Sequence, residues 1–201
     1  MIDDSMVKHI DQWKIERASG DQSVVHSYSG ATVDKINTIF KDYIVKDQFE
    51  TVILHVGTND LVRKDAKVVA KKMDNLITQV KDQVRKVAVS SVVKRYDCCV
   101  AARRITDFNN LVKDLCSKHN IKFINNDHID KPFLDESMLH LNEMGDRKLG
   151  RKFCTYLKSK SSGKYSNRPG TTDNHFFRDV YSHRKRDWIT YLQYVNQIMK
   201  H

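Results

Sequence analysis

Thr51-Val52-Ile53-Leu54-His55-Val56-Gly57-Thr58-Asn59-Asp60 is the stretch on which the architecture turns. Its first six residues are almost continuously apolar or β-branched. A strand exposed on one face alternates apolar and polar residues; an unbroken run is expected where a strand is covered on both faces, as in parallel sheets flanked by helices. The run then stops at a glycine followed by three polar residues. In open parallel sheets ligands gather where strands end in this way, at their carboxyl termini.

Working outward, three more short β-branched segments appear, at 23–26, 87–93 and 121–124. Helical spacing separates them. Val33, Ile36, Ile39, Phe40 and Tyr43 recur at intervals of three and four, as do Val69, Met73, Leu76, Ile77 and Val80. Ile105, Phe108, Leu111, Val112 and Leu115 form a third series, and Leu149, Phe153 and Leu157 a fourth. Strand and helix alternate throughout, which predicts a three-layer α/β fold with a parallel sheet. One element is short. Met6, Val7 and Ile10 begin a helical pattern almost at the first residue, so only Met1 and Ile2 stand where a buried first strand belongs. The first strand is therefore expected to be truncated, and the chain to be a piece whose true start lies upstream.

The chain has 201 residues, 40% apolar and 30% charged, with a net charge of +10. This suits one packed domain and an appendage with affinity for polyanions. No run approaches the roughly 18 apolar residues of a membrane span. No secretory signal is visible, and Cys98, Cys99, Cys116 and Cys154 form no Cys-x-x-Cys pair, so a cytoplasmic protein with reduced thiols is expected. The histidines have no metal spacing, and neither a metal nor a cofactor is expected.

The predicted strand ends supply a set of chemical groups. Asp3-Asp4-Ser5 follows the first strand, Ser27-Tyr28-Ser29-Gly30-Ala31 the second, and Gly57-Thr58-Asn59-Asp60 the third; Leu139-His140-Leu141-Asn142 lies late in the regular region. Gathered on one rim, they offer a hydroxyl, a glycine amide, a carboxamide and an imidazole. An acyl-transfer site needs these parts: a serine nucleophile, a histidine base and donors for an oxyanion. Taken singly, each residue has a plainer reading. Ser5 suits a helix N-cap, Gly30 a turn, Asn59 a cap of the next helix, and His140 an ordinary surface position. Asp60 reads as structural, and His55 as a packed residue within its strand.

Together these segments resemble the conserved blocks of the SGNH (GDSL-like) hydrolases, in particular SGNH-like domains of invertebrate genomes. Asp3-Asp4-Ser5 resembles the first block, Gly-Asp-Ser; Gly30 the glycine of the second; Gly57-Thr58-Asn59-Asp60 matches the third in full; and His140 matches the histidine of the last. The resemblance covers roughly residues 1–158. It implies a three-layer α/β/α domain around a parallel, flavodoxin-like sheet. It implies an esterase acting on a small ester or acetylated substrate, with Ser5 as nucleophile and His140 as base. The Ser5 amide, Gly30 and Asn59 would form its oxyanion hole. The chain departs from the pattern twice. Asp3 replaces the first block's glycine, and Ser137 stands where the family has its acid, three residues before His140. Asp135 and Glu136 are the carboxylates left to orient His140, and Asp135 is the first candidate in this weakened triad. The competing class is a non-catalytic SGNH-like interaction domain, with RNA as a candidate partner.

Residues 159–201 form a separate basic, aromatic-containing tail. From 160 onward there are eight Lys/Arg against three Asp, a net charge of +5, and His183-Arg184-Lys185-Arg186 is a compact cluster. Phe176, Phe177, Tyr181, Trp188, Tyr191 and Tyr194 interleave with these charges, a pattern able to hold nucleic acid weakly through phosphates and stacked bases. Trp188, Tyr191, Leu192, Val195, Ile198 and Met199 also sit at helical spacing, so an amphipathic helix is the other reading.

Overall fold

The computed structural model describes residues 1–3, 9–10, 12–20, 23–43 and 49–161. Ser5 and residues 162–201 of the basic tail lie outside the described residues; positions 159–161 are the end of the last helix. Five strands, β1 (Ile2–Asp3), β2 (His26–Ser27), β3 (Thr51–His55), β4 (Lys86–Ser90) and β5 (Lys122–Ile124), form one sheet in the order β2-β1-β3-β4-β5. Every neighbouring pair is parallel. The helices are α1 (Gln12–Ser19), α2 (Val33–Tyr43), α3 (Thr58–Leu61), α4 (Ala66–Gln83), α5 (Cys99–Lys118) and α6 (Glu143–Ser161), with a 3-10 turn at Lys131–Phe133.

Alternation along the strands assigns the helices to two faces. Ile53 of β3, Ala88 of β4 and Ile124 of β5 share one core with Ile15 of α1 and Leu149, Phe153 and Tyr156 of α6. Side chains one residue away, Val52, Leu54, Val87 and Val89, therefore face the opposite side. There α2 packs on α4 and α4 on α5, so helices cover both faces of the sheet. Val52, Ile53 and Leu54 are all buried, as the unbroken apolar run requires.

The first strand is as short as the sequence implies. It nonetheless occupies an interior position, pairing Ile2 with His26 and Leu54, and Asp3 with Ser27 and His55. The helical pattern begun by Met6 and Val7 falls outside the described residues; its third member, Ile10, precedes α1, which begins at Gln12, and is buried in the core that α1 and α6 share. Two boundaries differ from the sequence reading. β2 is paired at His26–Ser27, so it begins three residues later and ends one residue later than the 23–26 run. β4 stops at Ser90 although Val92 and Val93 are buried, because Val92 takes its backbone partners from a side chain: its N–H donates to Asn109 Oδ1 at 2.9 Å, and its carbonyl accepts from Asn109 Nδ2 at 2.8 Å. A ladder hydrogen bond is replaced by a bond to α5, and the strand ends there.

Candidate active site

Two of the described strands, β3 and β2, deliver candidate site residues to one rim. After β3 the chain turns at Gly57, whose φ is 132°. A Cβ there would sit 3.0 Å from the Phe108 ring, so both conformation and packing demand glycine. The turn starts α3 and presents Asn59 half-buried and Asp60 buried. After β2, a turn closed by the Ala31 N–H donating to the Tyr28 carbonyl at 3.0 Å places Gly30 in the left-handed region, φ 71°. Gly30 is exposed, and no side chain or backbone lies within 4 Å of where its Cβ would be.

The third block grips the second through both of its polar residues. Asn59 Nδ2 donates to the Ala31 carbonyl at 3.0 Å, which brings its carboxamide beside Gly30. That bond uses one of the two amide hydrogens. Among the described residues the other hydrogen has no partner, nor has the Gly30 N–H. Asp60 Oδ2 accepts from the Val33 N–H at 2.8 Å, capping α2, and Asp60 Oδ1 accepts from Lys64 Nζ at 2.8 Å. Asp60 is thus fully committed to structure. The pair Asn59-Asp60 divides the work: one residue leaves a donor pointing outward, its neighbour fixes the helix that follows Gly30.

His140 lies on the connection between the 3-10 turn and α6. Leu134 and Leu141 form an antiparallel bridge, and the Asp135 N–H donates to the His140 carbonyl at 2.9 Å. Met138, at φ 57°, closes the bend, and its carbonyl accepts from the Tyr96 N–H at 2.8 Å, fastening the loop to the chain that follows β4. Asn142 organises the other side. Its Nδ2 donates to the carbonyls of Pro132 and Leu134 at 2.9 Å each, and its Oδ1 accepts from the Gly145 N–H at 3.0 Å, capping α6. Gly145 has no room for a side chain: a Cβ would lie 2.2 Å from the Phe133 carbonyl oxygen.

The imidazole of His140 is exposed and has no hydrogen-bond partner among the described residues. Asp135 Oδ1 accepts from the Ser137 backbone N–H, at 3.1 Å, and from the Ser137 hydroxyl. The hydroxyl, first among its partners, holds the Asp135 carboxyl below the usual carboxylate range. Glu136 is exposed. The structure therefore brings Gly30 and Asn59 together and places Asp135 and His140 opposite each other on one loop, with the carboxylate turned to Ser137. Asp3 ends β1 between Ser27 and His55, so the chain enters the Ser5 segment from between the strands that lead to Gly30 and Asn59.

A second polar group lies buried at the carboxyl ends of β3 and β4. His55 Nδ1 lies 3.0 Å from Ser90 Oγ, which accepts from Asn126 Nδ2 at 2.7 Å; Asn126 Nδ2 also donates to the Ser91 carbonyl at 2.6 Å. His55 is the packed residue the sequence suggests, lying edge-on to Phe153. Burial pushes its pKa down to about 4, so it is neutral at pH 7. Ser90 and Asn126 are absent from the sequence reading, although Asn125-Asn126-Asp127 follows β5 as Thr58-Asn59-Asp60 follows β3. Asn142 is part of the His140 block read from the sequence, and the glycine three residues after it is the one whose N–H it caps.

Three comparisons bear on this geometry. Solved structures share the fold at low identity. A GDSL-like lipase from Bacteroides thetaiotaomicron superposes with a TM-score of 0.67 at 13% identity, covering 79% of this chain and 86% of that one. A lipase/acylhydrolase from Enterococcus faecalis gives 0.66 at 16%, covering 79% and 95%. A catalytic mutant of an acetylxylan esterase from Geobacillus stearothermophilus gives 0.65 at 15%, covering 78% and 91%. Comparison with curated proteins finds no match. The model of the GDSL-like lipase/acylhydrolase family matches residues 11–148, a span that starts beyond Ser5 and contains Gly30, Asn59, Asp135 and His140. With most of its length matched and a parallel α/β/α sheet that presents the third-block carboxamide beside the second-block glycine, the chain belongs to the GDSL-like lipase/acylhydrolase family.

Proposed function

We propose that the chain is a serine esterase that cleaves a small carboxylic ester or acetyl group through an acyl-enzyme on Ser5. The observation that supports this reading is the Asn59–Ala31 hydrogen bond, which ties the third-block carboxamide to the residue after Gly30 and leaves one of its two amide hydrogens unspent. Two fixed donors at one place are what a developing oxyanion needs, because they require no reorganisation during the reaction. The acetylxylan esterase among the structural neighbours suggests an acetyl ester as the first substrate to try.

In the proposed reaction Ser5 Oγ attacks the ester carbonyl while His140 takes its proton. The carbonyl oxygen becomes an oxyanion, held by the N–H groups of Ser5 and Gly30 and by Asn59 Nδ2. Collapse of the intermediate breaks the bond to the alcohol oxygen, which leaves with the proton from His140. Water, deprotonated by the same imidazole, then attacks the acyl-enzyme and releases the acid and free Ser5. Asp135 is the residue proposed to orient His140. Its backbone pairs with that of His140, and Oδ2 has no partner among the described residues, whereas Oδ1 is held by Ser137.

A second reading, a non-catalytic interaction domain, is favoured by one observation: the imidazole of His140 has no carboxylate bonded to it, and Ser137 supplies no charge. Labelling with a fluorophosphonate, together with turnover of p-nitrophenyl acetate, separates the two. The esterase reading expects labelling and turnover that Ser5→Ala abolishes. Absence of both in the folded wild-type chain would leave the interaction domain.

A further inference from the structure

At the opposite pole of the sheet, where β4 and β5 begin, a cleft of about 310 Å³ opens between the α4–β4 and α5–β5 connections. Lys81, Arg85, Lys86, His119 and Lys122 line it, and none of the lining residues is acidic. The sheet explains why they converge. Lys122 is the register partner of Ala88, and Lys86 lies two residues before Ala88, so both project from the face on which Ala88 packs. That face is the one covered by α6, whose Tyr156 forms another wall of the cleft.

The charges here are only partly balanced. Lys86 Nζ pairs with Glu50 at 2.8 Å, and His119 pairs with Asp74. Lys81 Nζ donates to the His119 carbonyl at 2.7 Å, which ties the two connections together without neutralising the ammonium. Arg85 and Lys122 are exposed and have no partner among the described residues. Three cations therefore share one small concavity with no carboxylate bonded to them. Like charges held this close repel, and an anion placed between them removes that repulsion while gaining charge-assisted hydrogen bonds.

We infer that this cleft binds a phosphate group, held by the guanidinium of Arg85 and the ammonium groups of Lys81 and Lys122. Arginine supplies a planar fork that matches two phosphate oxygens, and lysine supplies a mobile point charge. The volume exceeds that of one phosphate, leaving space for part of the molecule that carries it. The site is independent of ester cleavage: β4 separates it from the carboxyl-end rim by its five residues, about 15 Å at the usual rise per residue.

The phosphate can come from a small phosphorylated molecule or from a nucleic-acid backbone, and the test has an arm for each. The full chain is titrated with pyrophosphate, and separately with a single-stranded oligonucleotide, at constant ionic strength. Arg85→Gln/Lys122→Gln is compared with Lys67→Gln/Lys71→Gln, which removes the same charge from exposed positions on α4. The expected result is saturable binding that the first pair weakens by about tenfold or more and the second leaves within about twofold. Pyrophosphate binding with this pattern assigns a small phosphorylated ligand. The pattern with the oligonucleotide alone assigns the backbone. No saturable binding of either, or equal losses in the two double variants, would overturn the site.

Discussion

The carboxamide of Asn59 is bonded to the carbonyl of Ala31 at 3.0 Å, so the third conserved block reaches across to the second and holds it next to its own free donor. A residue that positions a glycine and offers a hydrogen bond of its own has two separable effects. Asn59→Ala is expected to lower kcat for p-nitrophenyl acetate by about 100- to 1,000-fold with little change in KM, the usual consequence of losing one oxyanion donor. Its structural share is smaller, about 1 kcal/mol for one net hydrogen bond, read from urea denaturation. A loss confined to stability would remove Asn59 from the chemistry.

The loop around His140 allows a gain of function to be tested. Asp135→Asn is expected to reduce turnover if that carboxylate orients the imidazole. Ser137→Asp restores a carboxylate at the family's acid position and should raise activity by about tenfold, in the wild type and in the Asp135→Asn background. No gain in either background would put the weakness of the site elsewhere, with Asp3 the next residue to revert to glycine.

Gly145 is predicted to be intolerant of any side chain. A methyl group there meets the Phe133 carbonyl oxygen at 2.2 Å and Leu141 Cδ2 at 2.8 Å, and the backbone oxygen cannot rotate away. Gly145→Ala should destabilise the domain by on the order of 3 kcal/mol and displace the His140 loop, so that activity falls along with the melting temperature. An unchanged melting temperature would show that α6 can slide on the 3-10 turn.

His55 makes stability depend on pH. Burial lowers its pKa to about 4, while an unfolded histidine titrates near ~6.5. Between these values the unfolded chain takes up a proton that the folded chain excludes, so stability rises with pH. The contribution is fully present above about pH 6.5 and is lost as pH falls towards 4, to an upper bound on the order of 3 kcal/mol. Urea midpoints for wild type and His55→Gln at pH 7, 5.5 and 4.5 should converge as the pH falls, since glutamine keeps a polar contact with Ser90 without titrating. Parallel declines would assign the acid sensitivity to other groups.

Much of this was legible because it rests on periodicity. The run from Thr51 to Val56 announced a doubly covered strand, and the spacings around Val33, Val69, Ile105 and Leu149 announced α2, α4, α5 and α6. What escaped depends on partners distant in the chain. Val92 and Val93 are as apolar and buried as a strand continuation, yet Asn109 on α5 claims the Val92 backbone. The block Gly57-Thr58-Asn59-Asp60 was recognisable, but the partners of its side chains, Ala31 for Asn59 and Val33 for Asp60, lie more than 25 residues away. Around His140 the sequence exposed the absent acid at Ser137. The hydrogen bond that turns Asp135 towards Ser137 could be seen only in three dimensions.

The brevity of β1 has a kinetic consequence. Among the described residues, β2 is joined to the rest of the sheet through two residue pairs, Ile2 with His26 and Asp3 with Ser27. Beside the apolar packing of Val33, Ile36 and Phe40, the β2–α2 segment is fastened by the side chains of Asn59 and Asp60, which clasp Ala31 and Val33. Such a segment opens as a unit when its clasp releases, with a lower free energy than global unfolding. Amide hydrogen exchange in α2 should then be governed by this clasp and should quicken in Asp60→Asn. On the esterase reading, the motif proposed to supply an oxyanion donor is also a latch on the β2–α2 segment, so turnover and local opening would depend on the same pair of residues.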